Sequence, residues 1–474
     1  MSERIRTLAL LAAASIASAC GVLEPRLPEQ AAGVPEQWPL PPTSPAMAQM
    51  APAVAGPVAA PDIGWRDFFV DANLEELVAR ALQNNRDLRV AVLDVERARQ
   101  LYRIQRSERV PSVDAMGALV RQGGDNQPVT EAYSASVGVT QFELDLFGRV
   151  ASLSEAASQR YFAAEEARRS AQLALVAEVA NAYLSLAADR EQLRLAEATL
   201  RTREEGYALT QKRHEFGAVS ALDVYQSRTQ AEAARADVAR YAGRLAQDRN
   251  ALDLLVGAPV EDALLPVGFD ERVTGLEALP AGLPSSVLLR RPDVLEAERL
   301  LRAANASVGA ARAAFFPSIT LTGAVGTASD ELAGLFDGGT GTWSFIPQVR
   351  IPIFEGGRLR AGLGAARVER DIALAQYEGA IQQGFREVAD ALALTATLAS
   401  QRAALEQLVQ AAQKAEELSV ARYEAGRDSY LVRLESQRTL YLAQQSLIQT
   451  RLAEQANRVD LYRVLGGGWL ERSR

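Results

Sequence analysis

Ser318-Ile319-Thr320-Leu321-Thr322-Gly323-Ala324-Val325 sets Ile319, Leu321 and Val325 on one side of an extended chain and Ser318, Thr320 and Thr322 on the other. Successive side chains of a strand point to opposite faces, so this stretch has one apolar and one small polar face. The pattern returns three times. Residues 344–353 group Phe345, Pro347, Val349, Ile351 and Ile353; residues 134–142 alternate Ala135, Val137 and Val139 with Ser136, Gly138 and Thr140; residues 112–121 are a weaker fourth case. A membrane β-strand needs about ten residues of this kind. A half-buried sheet of a soluble protein produces the same alternation, so the surroundings must decide. Pro347 and Pro352 donate nothing to a ladder and belong at a sheet edge or a bend.

The surroundings read as long helices. Ten of the twenty prolines lie in residues 25–61, while residues 129–258 and 353–474 contain none, as uninterrupted helices require. Fifteen alanines fall in residues 151–200, among many Glu, Arg, Gln and Leu, all good helix formers. Leu173, Val176, Ala180, Tyr183 and Ala187 follow alternating three and four spacing, as do Leu405, Leu408, Ala412 and Ala415. That spacing winds helices around their neighbours. Residues 147–210 carry no stop signal and predict a rod of roughly 96 Å. No compact globular domain needs one.

The chain starts Met1-Ser2-Glu3-Arg4-Ile5-Arg6, runs apolar and Ala-rich over residues 7–17, and reaches Ala17-Ser18-Ala19-Cys20. A basic start, a short apolar run and small residues before a cut form a secretory signal over residues 1–19. That run is too short to span a bilayer, which takes roughly 20 residues, and no later segment is expected to span as a helix. Cys20, the only cysteine, closes a sequence resembling a bacterial lipobox, with Ala17 where that motif more often has Leu. A plain secretory signal with an incidental cysteine is the alternative. Acylation of Cys20 would anchor the mature chain in lipid, through residues 20–62 acting as a Pro/Ala-rich tether.

An internal repeat joins strands and rods. Val110-Pro111-Ser112 recurs as Phe316-Pro317-Ser318, and Asp145-Leu146-Phe147-Gly148-Arg149 as Ile353-Phe354-Glu355-Gly356-Gly357-Arg358. Phe216-Gly217 and Leu255-Val256-Gly257 recur as Ala425-Gly426 and Val464-Leu465-Gly466. One unit is therefore duplicated, over residues 63–258 and 259–474, each copy predicted as helix, strand, strand, very long helix, helix. The fold class is mainly α with a β part. Four strands cannot close a barrel, which needs roughly eight, and open edges are intolerable in lipid. The count implies an assembly of chains, and three would supply twelve strands.

Chemistry is short of reagents. One His and one Cys among 474 residues cannot build a His/Cys zinc site or a disulfide framework, so no metal and no cofactor is expected. His214 lies in the charged stretch Gln211-Lys212-Arg213-His214-Glu215, read as a solvated helix face. Gly338-Gly339-Thr340-Gly341 lacks the Lys and the context of a phosphate loop. A net charge of −8 argues against nucleic acid as a partner. An enzyme is not expected.

Phe142-Glu143-Leu144-Asp145-Leu146-Phe147-Gly148-Arg149, Leu289-Arg290-Arg291-Pro292-Asp293-Val294, Ala313-Ala314-Phe315-Phe316-Pro317-Ser318 and Leu465-Gly466-Gly467-Gly468-Trp469 carry a family resemblance. In these motifs and their order the chain resembles the outer membrane efflux proteins, TolC-like outer membrane factors, in the lipoprotein branch serving resistance-nodulation-division pumps. The resemblance spans about residues 63–469. It implies a homotrimer with a twelve-stranded barrel in the outer membrane, a twelve-helix α-barrel through the periplasm, and an equatorial region between helix ends. The implied role is the outer membrane channel of a tripartite efflux pump, a passive conduit carrying small molecules outward. Its implied partners are an inner-membrane resistance-nodulation-division pump, a periplasmic adaptor (membrane fusion) protein and outer membrane lipid. A conduit for type I protein secretion and a periplasmic coiled-coil adaptor lipoprotein remain as alternatives.

In such a conduit the residues of interest close it or dock it. The long helices break at Glu215-Phe216-Gly217-Ala218-Val219-Ser220 and Tyr423-Glu424-Ala425-Gly426-Arg427-Asp428-Ser429. Gly217 and Gly426 suit left-handed helix C-caps, and Ser220 and Ser429 can cap the next helices. The resemblance makes these turns, with Val219, the ends that face the adaptor. It also assigns the periplasmic aperture to Arg422, Tyr423, Glu435, Asp223 and Asp428. Glu435 stands where the family usually has Asp.

Overall fold

The computed structural model describes residues 23–27, 33–35, 38, 60–125, 127–269 and 285–473. Cys20, the signal segment and most of the 20–62 tether lie outside them. The chain passes through α1 (Ala72–Asn84), α2 (Arg86–Ser107), β1 (Asp114–Gly124), β2 (Gln127–Leu144), α3 (Arg149–Glu215) and α4 (Ala221–Val256). A second pass gives α5 (Pro292–Ala313), β3 (Ser318–Ser329), β4 (Gly341–Arg350), α6 (Arg358–Glu424) and α7 (Tyr430–Val464). The passes match in length: α2 and α5 have 22 residues each, α3 and α6 have 67 each, and α4 and α7 have 36 and 35. At 1.5 Å per residue the two long helices each extend about 100 Å. The duplication and the rods stand as the sequence predicts.

Contacts divide the chain into two compact units that do not follow the repeats. One takes Met1–Ala32, Leu93–Glu166 and Leu295–Ala380; the other takes Gly33–Val92, Ala167–Val294 and Ile381–Arg474. Each unit draws on both repeats, because α3 and α6 each contribute to both units.

The first unit holds the sheet. Its strands run antiparallel in the order β1-β2-β3-β4. The register sets Val349, Pro347, Phe345 and Trp343 opposite Ile319, Leu321, Gly323 and Val325, and sets Val325 opposite Val137. Cross-strand partners share a face, so these residues form the apolar side. Ser134 and Ser136 pair with Ala328 and Gly326 on the other side, and Ser344 pairs with Ala324. Between Val139 and Phe142 the register slips, and Gln141 holds a positive φ of 55°. This bulge inserts one residue into β2 and moves Phe142 and Leu144 back to the apolar face, opposite Leu321 and Ile319. Pro347 lies on the edge strand β4 and Pro352 just beyond it, where their missing N–H groups cost least.

Each motif of the sequence has a place. In the first unit, Phe142 to Arg149 turns β2 into α3: Arg149 grips Glu143 with Nε–Oε1 2.9 Å and Nη2–Oε2 2.5 Å. Asp145 accepts the amide of Ala151 at 2.6 Å, capping the helix, and Phe147 stacks on Phe316 at 4.7 Å. In the second unit Arg291 starts α5 with its side chain 7% exposed, bound twice to Asp293 and once each to Glu387 and the Val464 carbonyl. It joins three elements through one guanidinium.

The core of the second unit packs Trp65, Phe68, Phe69, Leu74, Leu77 and Val78 against Leu175, Val179 and Leu184 of α3, with Leu252 and Tyr462. A fully buried apolar side chain contributes about 1.5–3 kcal/mol. By length and composition α3 could cross a membrane, contrary to the expectation that no later segment could; 61% of that stretch is buried inside the fold, so its apolarity serves the core. Leu173, Val176, Ala180, Tyr183 and Ala187 are all buried, whereas Leu408 and Ala415 of the second heptad series are exposed. One seam is filled within the chain, while the other is closed at Ala412 and open at Leu408 and Ala415.

Candidate functional site

The candidate site is the pair of turns between α3 and α4 and between α6 and α7, both in the second unit. They are built alike. Gly217 has φ 74° and its amide bonds the His214 carbonyl at 2.8 Å, while Ala218 bonds the Arg213 carbonyl at 2.8 Å. Gly426 has φ 70°, with its amide on the Tyr423 carbonyl at 3.0 Å and Arg427 on the Arg422 carbonyl at 2.9 Å. Both are Schellman ends, whose left-handed residue is inexpensive only for glycine.

Beyond the glycines the turns differ. Ser220 accepts the Asp223 amide at 3.2 Å, and Asp223 Oδ2 accepts the Ser220 amide at 3.0 Å and hydroxyl at 2.8 Å. This capping box satisfies two free helix-end donors. Ser429 also stands at an N-cap, but its side chain makes no capping bond; Val432 occupies the place of Asp223 and no box can form. The expectation of a side-chain cap is met at Ser220 and not at Ser429. His214 is exposed, as a solvated helix face predicts, and its Nδ1 also donates to the Val219 carbonyl at 2.9 Å and closes the first turn.

The second turn is closed by charge. Arg422 binds Asp428 through Nε–Oδ2 at 2.7 Å and Nη2–Oδ1 at 2.8 Å. The guanidinium holds the Asp428 carboxyl below its usual range, so the fork persists at neutral pH. Glu435 pairs with Arg438 at 2.8 Å, one helical turn along, rather than with Arg422. Of the five aperture candidates, Arg422 and Asp428 are brought together, while Glu435 and Asp223 each bind a neighbour on their own helix.

Tyr423 links the two turns. Arg213 donates to its hydroxyl at 3.3 Å and lies 5.6 Å from its ring, Arg433 lies 5.4 Å from the same ring, and Tyr430 packs at 5.5 Å. Tyr430 is buried, with Thr210 of α3 and Ser227 of α4 beside its hydroxyl. Sequence reasoning missed Arg213, Arg433 and Tyr430. Arg213 lay in a charged stretch indistinguishable from a solvated face, and only proximity in space marks it. Among the described residues no cluster of His, Cys, Asp and Glu is arranged to hold a metal.

A sheet with one apolar face, whose two edge strands are unpaired, carried on helices of this length, defines a channel-forming outer membrane protein. The profile of the outer membrane efflux protein family matches residues 77–258 and again 283–467, and the chain belongs to that family. It is 46% identical over 475 residues to the probable efflux pump outer membrane protein TtgC of Pseudomonas putida, covering 98% of this chain and 96% of that protein. Among solved structures it resembles a membrane protein from Pseudomonas aeruginosa, with TM-score 0.86 and 43% identity over 96% of this chain and 99% of that one. It also resembles the open state of the Neisseria gonorrhoeae outer membrane channel MtrE, with TM-score 0.86 and 38% identity over 96% of this chain and all of the other. The chain is an outer membrane efflux component, and the coiled-coil adaptor reading falls away.

Proposed function

We propose that three copies of the chain close a twelve-stranded barrel and form a passive, non-enzymatic conduit for small molecules, fed by an inner-membrane resistance-nodulation-division pump through a periplasmic adaptor. The observation that carries this reading is the open sheet. Every residue of β1 and of β4 is exposed, Trp343 at 80% and Phe345 at 62%, and among the described residues no further strand pairs with the outer edge of either. In lipid that state is intolerable until the β1 edge of one copy meets the β4 edge of the next. Acylation of Cys20 supplies a second hold on the outer membrane.

The turns at Gly217, Val219, Ser220, Gly426 and Ser429 face the adaptor, and the aperture lies beside them. The closed state rests on the Arg422–Asp428 fork and on Tyr423 held by Arg213, with Glu435 and Asp223 lining the opening. The fork lies at the surface, where water screens its charges, so the contacts that hold the closed state make a small sum. Adaptor docking that favours the open state offsets such a sum. Planar-bilayer recording tests the reading. Wild-type protein gives small conductance steps, and Arg422→Ala with Tyr423→Phe raises them several-fold. Unchanged conductance overturns the aperture assignment, and absence of channels from both proteins overturns the conduit.

A further inference from the structure

Residues 23–25 do not hang free. In the first unit Asn305 of α5, 1% exposed, donates from Nδ2 to Glu24 Oε1 at 3.0 Å and to the Pro25 carbonyl at 2.8 Å. Arg312 donates to the Leu23 carbonyl at 3.4 Å. Between them Gly309 makes room: a Cβ there would stand 3.1 Å from Glu24 Cα and 3.0 Å from Ser152 Oγ. A buried amide, a missing side chain and a cation, spaced at four and three residues, lie along one side of a helix. The other repeat supplies an internal comparison. At the matching positions of α2 stand Arg99, Arg103 and Arg106, three long exposed cations that leave no such groove.

We infer that α5 carries a docking groove for residues 23–27, a strap that fixes where the lipid-bearing N-terminus leaves the protein. Leu23 is bound to Arg312, one residue before α5 ends at Ala313, and β3 begins at Ser318. Two residues lie between Cys20 and Leu23, so three steps of the chain give a reach of about 10 Å. An undocked tether over residues 20–62 would let the anchor range over roughly 35 Å. The strap therefore holds the anchor beside the helix-proximal end of the strands. Farther along, in the second unit, Trp38 is buried and stacks on Phe385 at 4.7 Å, a second point where the expected tether is docked. The consequence for the anchor rests on acylation of Cys20, while the docking itself does not.

Trypsin tests the strap, because cleavage after Arg26 requires it to leave the groove. The full-length protein in lipid nanodiscs is compared with a synthetic peptide of residues 21–34. The strap predicts cleavage after Arg26 at least about tenfold slower in the protein, since both hydrogen bonds from Asn305 must open. Asn305→Leu loses that protection, and so does the pair Glu24→Gly and Pro25→Gly, which leaves α5 untouched should the first variant fold poorly. Cleavage of wild-type protein at the peptide's rate, or variants as protected as wild type, overturns the docking. The mass of the released N-terminal fragment separately reports acylation.

Discussion

Arg422 closes on Asp428 across its own turn and leaves Glu435 to Arg438. A two-pronged fork within one turn immobilises less side chain than a reach to a neighbouring helix, so geometry selects the nearer carboxylate. A different choice operates where α3 meets α4. Asp189 and Asp248 face each other there with Arg244 nearby, and burial, followed by the Asp189 carboxylate, pushes Asp248 up to about 6. Asn457 matches Asp248 in the second repeat and bonds Thr395 at 2.8 Å and the Ala391 carbonyl at 3.0 Å without a charge. A carboxyl whose folded pKa exceeds its unfolded value binds the extra proton only in the fold. Stability thus falls as pH rises from the ordinary 3.8 to about 6 and stays reduced above. Asp248→Asn is predicted to stabilise the protein at pH 7.5 by about 1 kcal/mol, after discounting for solvent screening. Thermal unfolding followed by helical circular dichroism measures it. The gain should vanish at pH 4, and an equal gain at both pH values contradicts the shared proton.

At the scale of elements, periodicity made the strands and rods legible before any contact was known. Ile319, Leu321 and Val325 were placed together by alternation alone, and the register confirms them beside Val349, Pro347 and Trp343. The bulge at Gln141 was not legible, because an inserted residue looks like an ordinary break in alternation until the partner strand counts it. The partly open second heptad seam was hidden for a related reason: spacing shows that a helix has an apolar stripe but not which chain covers it. At the turns the two Schellman glycines could be read locally, whereas the hold of Arg213 on Tyr423 joins residues more than two hundred positions apart. Deleting Gln141 repairs the ladder and leaves Phe142 and Leu144 on the apolar face, opposite Leu321 and Ile319, whereas one residue inserted after Phe142 turns Leu144 to the polar face. The deletion and Gln141→Gly, which suits a positive φ, are predicted to preserve the oligomer on gels, and the insertion to abolish it. An oligomer lost on deletion of Gln141, or formed normally with the insertion, contradicts the role given to the bulge.

The whole molecule is incomplete as one chain. Among the described residues its sheet has two unpaired edges, its exposed aromatic strand residues need lipid, and α6 presents apolar residues that none of them covers. Copies of the chain can satisfy all of these together, and a closed ring removes every edge at once. Four strands from each of three copies give a barrel within the size range of membrane barrels, whereas two copies reach only the lower limit. Native mass spectrometry of the protein released from nanodiscs tests this most directly. The account predicts a single species of three chains; a monomer or a dimer as the membrane-inserted form contradicts it.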